Sequence, residues 1–140
     1  MIVIACIDDT GGMLFNHRRQ SQDSILKDRV LQLTAGGRLW MNHYSAKQFE
    51  ADSVPQINVD EDFMCEAETG DYCFAEDVDV VPYERWIEKI VLYRWNRKNP
   101  ADMCFGLDIQ KPGWKLLQSS DFTGSSPERI TEEVYVRCTE

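Results

Sequence analysis

The opening stretch, Ile2 to Asn16 (IVIACIDDTGGMLFN), limits the fold more than any other part of the chain. Ile2 to Cys6 is a five-residue apolar run without polar alternation, which suits a strand buried on both faces. Asp8, Asp9, Thr10, Gly11 and Gly12 then break the run. Two consecutive glycines permit backbone angles that a side chain forbids, so a turn follows the strand. Met13, Leu14 and Phe15 return the chain to the interior. The stretch therefore predicts the central strand of a sheet, with the glycine loop as the lip of a cleft.

The period changes after Ser21. Ile25, Leu26, Arg29, Val30 and Leu33 recur at helical spacing, with Lys27, Asp28 and Gln32 on the other side, which predicts an amphipathic helix over 22–34. Ser21 is placed to cap it, Asp23 sits favourably in its first turn, and Gly36 supplies a stop. Arg38 to Asn42 reads as a second strand, and Ser45 as the cap of a short helix. Residues 52–59 contain Pro55 and no clear period, so they read as loop. Asp60 to Glu68 predicts a short acidic helix presenting Phe63, Met64 and Ala67, and Asp71 to Ala75 a third strand. PYERW, opened by Pro82, reads as a brief helix, and Ile87 to Trp95 as a fourth strand. Trp114 to Gln118 and Thr131 to Cys138 complete the set. Early strands separated by helices, with hairpin-like strands at the end, predict a single α/β domain over residues 1–140 with a mixed sheet.

Charge narrows the function. The 24 acidic and 15 basic residues give a net charge of −9, which opposes sequence-independent binding to nucleic acid or to an anionic membrane. No apolar run approaches the roughly 20 residues that span a bilayer, and MIVIAC lacks the basic segment of a signal peptide. The five cysteines have no C-x-x-C spacing, so a disulfide framework and a structural zinc site are not expected and a cytoplasmic location is. His17 and His43 fall in no metal-ligand motif. Asp8, Asp9, Glu76 and Asp77 could converge on a divalent cation, or be solvated loop acids; solvation is favoured and no metal is expected. G-x-S-x-G, Walker and G-x-G-x-x-G patterns do not occur, so acyl transfer, ATP hydrolysis and Rossmann chemistry lack support. The segment NHRRQSQD, residues 16–23, is a candidate for anion contact through its arginines; a surface turn before a helix reads the same way.

In order and spacing, these segments resemble dihydrofolate reductase. IVIACIDDTGGMLFN looks like that family's first strand and mobile substrate loop, and RLWMNHYS is similar to the strand and turn leading into its phosphate-cradling helix. IEKIVLYRWN, PADMCF and GWKLLQSSDF are similar to its later strand, its Gly/Ala-Asp-x-x-Phe segment and its W-x-x-x-x-S run. The resemblance implies a three-layer α/β fold, with a central mixed, mostly parallel sheet and an antiparallel C-terminal hairpin. It also implies NADPH as cofactor and a pterin-like substrate. By the same resemblance Asp23 matches the family's substrate acid, although an ungapped count places Gln20 there, and Tyr93 falls near the threonine supporting that acid. Ala5, Met13, Phe15 and Arg18 would line the ligand beside them, and Ser45 and His43 would face the cofactor.

The departures bear on function. The family's Gly-Gly pair after the strand matching DYCFA is Glu76-Asp77 here, and its Gly-Arg is Asn42-His43. Carboxylates repel a diphosphate that glycine amides would receive. The pattern also lacks one or two of the family's edge strands between residues 50 and 70. The expectation is a domain that binds a small ligand in its cleft, uses no cofactor and lacks intact NADPH-dependent reduction. Two alternatives stand beside it: an active NAD(P)H-dependent pterin or flavin-type reductase, and an acidic protein-interaction module with Trp86, Trp95 or Trp114 clustered on one face. The partner is then a small molecule or a protein, with a homo-oligomer left open.

Overall fold

Residues 2–7 pair in parallel on both sides, Ile2 standing opposite Tyr72 on one flank and Ile4 opposite Val91 on the other. The computed structural model describes residues 1–15, 18–19, 23–49, 54–96, 102–110, 113–124 and 129–138. Its elements in chain order are β1 (Ile2–Ile7), β2 (Gly12–Phe15), β3 (Arg18–Arg19), α1 (Ser24–Thr34), β4 (Leu39–Met41), α2 (His43–Phe49) and β5 (Ile57–Val59). There follow α3 (Phe63–Glu66), β6 (Tyr72–Phe74), a 3-10 helix (Val81–Trp86), β7 (Lys89–Arg94), β8 (Met103–Cys104), β9 (Trp114–Phe122) and β10 (Ile130–Arg137).

The main sheet runs β5-β4-β6-β1-β7-β10-β9, with β1 at its centre. The first five strands are parallel, and β10 and β9 close the sheet as an antiparallel pair. A smaller sheet, β3-β2-β8, follows the glycine loop. Because strand side chains alternate, Val3, Ala5 and Ile7 join one apolar cluster while Ile2 and Ile4 join the other. On the first face lie α3, through Phe63 and Met64, and the small sheet, through Met13 and Leu14. On the second lie α1, through Leu26 and Val30, and α2, through Ala46 and Phe49. Three layers result, with helices on both sides of a sheet whose central strand is apolar throughout.

Two local expectations are corrected. Residues 57–59, read as loop, form the edge strand β5 beside β4. Ile57 and Val59 suit a strand, and Pro55 sits in the turn before it, where a missing N–H costs no ladder bond. The cap of α2 is Asn42 rather than Ser45: the Asn42 side chain accepts from the Ser45 amide at 3.0 Å. For α1 the cap is Asp23, whose carboxylate accepts from the Leu26 amide at 3.0 Å; Ser21 lies outside the described residues.

Asp71 ties the starts of β4 and β6 together. Its buried carboxylate accepts from Arg38 Nε at 3.1 Å, Trp40 Nε1 at 3.0 Å and the Glu68 amide at 3.0 Å. Burial pushes its proton affinity up, but these donors outweigh that and hold it below the usual carboxylate range. A depressed folded-state value adds stability above the unfolded value, and that stability is lost as pH falls through the folded one. Asp71→Asn is accordingly expected to lower stability by about 1.5–3 kcal/mol at neutral pH. In urea titrations its deficit relative to the parent shrinks below about pH 4; an equal deficit at both pH values contradicts the ionised-acceptor role.

Candidate functional site

The parallel strands end at one edge of the sheet, where an open α/β sheet carries its crevice. Asn42 follows β4, Glu76 and Asp77 follow β6, and Asp8 follows β1. Besides capping α2, Asn42 donates from Nδ2 to Asp77 Oδ1 at 2.7 Å. The His43 amide donates to Glu61 Oε2 at 2.8 Å, and His43 Nδ1 lies 2.7 Å from the same oxygen. These contacts with the His43 amide and ring hold Glu61 below the usual carboxylate range, so it remains ionised. Gln48 Nε2 donates to Glu76 Oε1 at 2.8 Å. The first turn of α2 thus spends its amides at His43 and Ser45 on side chains of this chain; the carboxylates of Glu61 and Asp77 stand at that turn and its cap, and Glu76 is held by Gln48 further along the helix. Ser45 Oγ is buried with no hydrogen-bond partner among the described residues. Asn42→Ala removes the cap and is expected to lower stability by about 1–2 kcal/mol, read as a drop in Tm; an unchanged Tm would deny Asn42 this role.

A second polar group lies on the α1 side of the sheet. Tyr93, fully buried on β7, donates its hydroxyl to Glu132 Oε2 on β10 at 2.8 Å. Arg29 of α1 reaches the same carboxylate through Nε at 2.9 Å and Nη2 at 3.4 Å, and its guanidinium lies 4.4 Å from the centre of the Phe122 ring. Burial pushes Glu132 up, but the Arg29 and Tyr93 hydrogen bonds outweigh it and leave the carboxyl below its usual range. Burial, followed by the Glu132 charge, raises Tyr93. Glu132 is therefore an ionised acceptor and Tyr93 a protonated donor at neutral pH. This network locks α1 to β7 and β10, and neither member is poised to exchange a proton there.

The expected site residues divide between the faces. Ala5 and Met13 are buried in the cluster beneath α3, whereas Tyr93 belongs to the cluster beneath α1. Asp23 is buried at the start of α1. The Phe15 and Arg18 backbones pair across β2 and β3, and their side chains lie outside the described residues. His43 is exposed on the first turn of α2, with Ser45 buried beside it. The Asp8 carboxylate turns into its own loop, accepting from Thr10 N at 2.9 Å, Thr10 Oγ at 2.8 Å and Gly12 N at 2.7 Å. Among the described residues no group of three or more His, Cys, Asp or Glu is arranged to hold a metal ion. Trp95 and Trp114 are buried, while Trp86 is half exposed. Sequence reasoning missed Glu61, Arg29 and Glu132 as site components. One signal was present for Glu132, a charge between Ile130 and Val134 on the inward side of a strand.

This order of strands, with helices on both faces, defines a three-layer α/β protein with a reversed C-terminal pair. The chain superposes on dihydrofolate reductase from Enterococcus faecalis complexed with NADP(H) and RAB-propyl, with a TM-score of 0.70, covering 99% of this chain and 96% of that one. Sequence identity is 10%. The chain therefore has the dihydrofolate reductase fold. No protein-family model matches the sequence, and no curated protein sequence matches it. Among the described residues no helix is long and apolar enough to cross a membrane.

Proposed function

We propose that this chain is a dihydrofolate-reductase-fold domain that binds a small, flat heterocycle at the carboxyl ends of its parallel strands and does not carry out NADPH-dependent reduction. The observation that carries this reading is the occupied first turn of α2. A dinucleotide diphosphate needs unclaimed amides or cations at a helix start, and here Glu61 and Asn42 take the His43 and Ser45 amides. Asp77, joined to the cap Asn42, adds negative charge to the same place, and Glu76, joined to Gln48, adds it further along the helix. Ser45 offers a hydroxyl of the right type, but it is fully buried. The residues present do not fit the diphosphate. As ligand-side candidates we take Ala5 and Met13, buried beside the glycine loop on the α3 face; Tyr93 belongs to the opposite face and Asp23 to the start of α1. Five cysteines without C-x-x-C spacing fit a reducing, cytoplasmic compartment.

The test uses the whole chain with folate or pterin, followed by thermal unfolding and by the absorbance of NADPH. A ligand-dependent rise in Tm without NADPH consumption is expected. Turnover of dihydrofolate with NADPH would restore the reductase reading, and no Tm change with any heterocycle would remove the ligand reading.

The second reading is an acidic protein-interaction module. Adjacent exposed Leu116 and Leu117 on the edge strand β9 favour it, because exposed apolar side chains on a sheet edge invite a partner. Light scattering decides whether that partner is a second copy.

A further inference from the structure

The opposite end of the sheet holds a separate cavity of about 460 Å³, walled by Met1, Met64, Ala67, Tyr83 and Trp86, with Glu68 among its polar groups. Met1 precedes β1 and Glu68 precedes β6, so the cavity lies at the amino ends of the parallel strands. Asn42, Asp77 and Asp8 mark the other end, and the cavity shares no residue with that site. Its volume falls within the range of pockets that enclose small molecules.

The walls specify the ligand's chemistry. Tyr83 and Trp86 come from a 3-10 helix with no buried residue, and their ring centres stand 6.5 Å apart at 45°. Trp86 is 51% exposed although the Arg85 guanidinium stacks 4.1 Å from its ring centre. An exposed indole beside two thioethers offers a polarisable surface for a ring. The charges at the cavity are already matched: Glu68 pairs with Arg38 at 2.9 Å, and the Met1 nitrogen with Glu88 at 3.1 Å. A cation would find no unmatched acid on the cavity wall, and the nearby Arg85 guanidinium is engaged with the Trp86 ring, so an ionic ligand would lose its hydration for little return. We propose that this cavity binds an uncharged, flat bicyclic aromatic molecule, stacked against Tyr83 and Trp86.

Indole serves as the probe, titrated into the isotopically labelled full-length chain and followed by amide NMR shifts. Saturable shifts at Met64, Cys65, Tyr83 and Trp86 are expected. Cys65 lines the cavity, so its alkylation by iodoacetamide slows under saturating indole, while the exposed Cys104 and Cys138 react at unchanged rates. Ala67→Trp fills the cavity and abolishes binding; because that variant risks misfolding, Trp86→Ala, a change at an exposed side chain, is measured beside it. Trp86→Ala weakens indole by about tenfold, as loss of an aromatic anchor does. Shifts that grow linearly to the solubility limit, unchanged Cys65 alkylation, or equal affinity in Trp86→Ala would each overturn the proposal.

Discussion

Glu132→Ala is expected to lower the free energy of unfolding by about 3–4 kcal/mol. The substitution takes away the acceptor of a tyrosine hydroxyl that has no exposure to water, so Tyr93 is left with a buried donor unmatched. It also strips Arg29 of a two-point partner. The arginine is about a third exposed and keeps its contact with Phe122, so water replaces part of what it loses and the full cost of an isolated buried charge is not reached. Glu132→Gln keeps an oxygen for Tyr93 and Arg29 Nε but gives up the charge and the long 3.4 Å acceptor of the partly exposed Arg29 Nη2, so its loss is about 1–2 kcal/mol. Acid sensitivity follows the same chemistry. Glu132 is depressed in the folded state, so its contribution is present above the unfolded carboxyl value and disappears as pH falls through the lower folded one. Urea unfolding of the parent and Glu132→Gln across that range should converge at acid pH; parallel curves would mean that the carboxyl is not ionised in the native state.

The triple variant Glu61→Gln, Glu76→Gln, Asp77→Asn is expected to bind NADPH at least about tenfold more tightly than the parent. Like charges placed together across an interface cost several kcal/mol, and each 1.4 kcal/mol is tenfold. The variant leaves the hydrogen-bonding geometry nearly intact, since an amide oxygen still accepts from His43, Asn42 and Gln48. Its gain should fall with added salt, because the acids are exposed or half-buried and their field is screened. Equal affinities in the two proteins at low salt would mean that something other than charge keeps the dinucleotide out.

How much of this was readable beforehand depended on the range of the interaction. The central position of β1 followed from a run of apolar residues with no polar alternation, a property contained in the five neighbouring positions Ile2 to Cys6. The helix α1 followed from spacing alone, although Ile25 and Leu33 turned out to be exposed, since a helix packed on a sheet buries a narrower stripe than its apolar residues span. The acids at Glu76 and Asp77 were visible as departures from the glycine pair of the resembled family. Glu61 was not, because it reaches His43 from 18 residues away across the β5 loop. The partnership of Arg29 with Glu132 spans 103 residues, and spacing says nothing about such pairs until the topology places α1 over β10. Three-residue β5 escaped notice because so short a segment has no measurable period, and its pairing with β4 supplies the order that its own residues do not.

Calorimetric titration of NADPH into the unmodified chain at low ionic strength tests the central claim most directly. A diphosphate met by Glu61, Glu76 and Asp77 and offered no free amide at His43 or Ser45 should bind no better than about 1 mM. Saturable micromolar binding with one site per chain would contradict the account and return the cofactor to this fold.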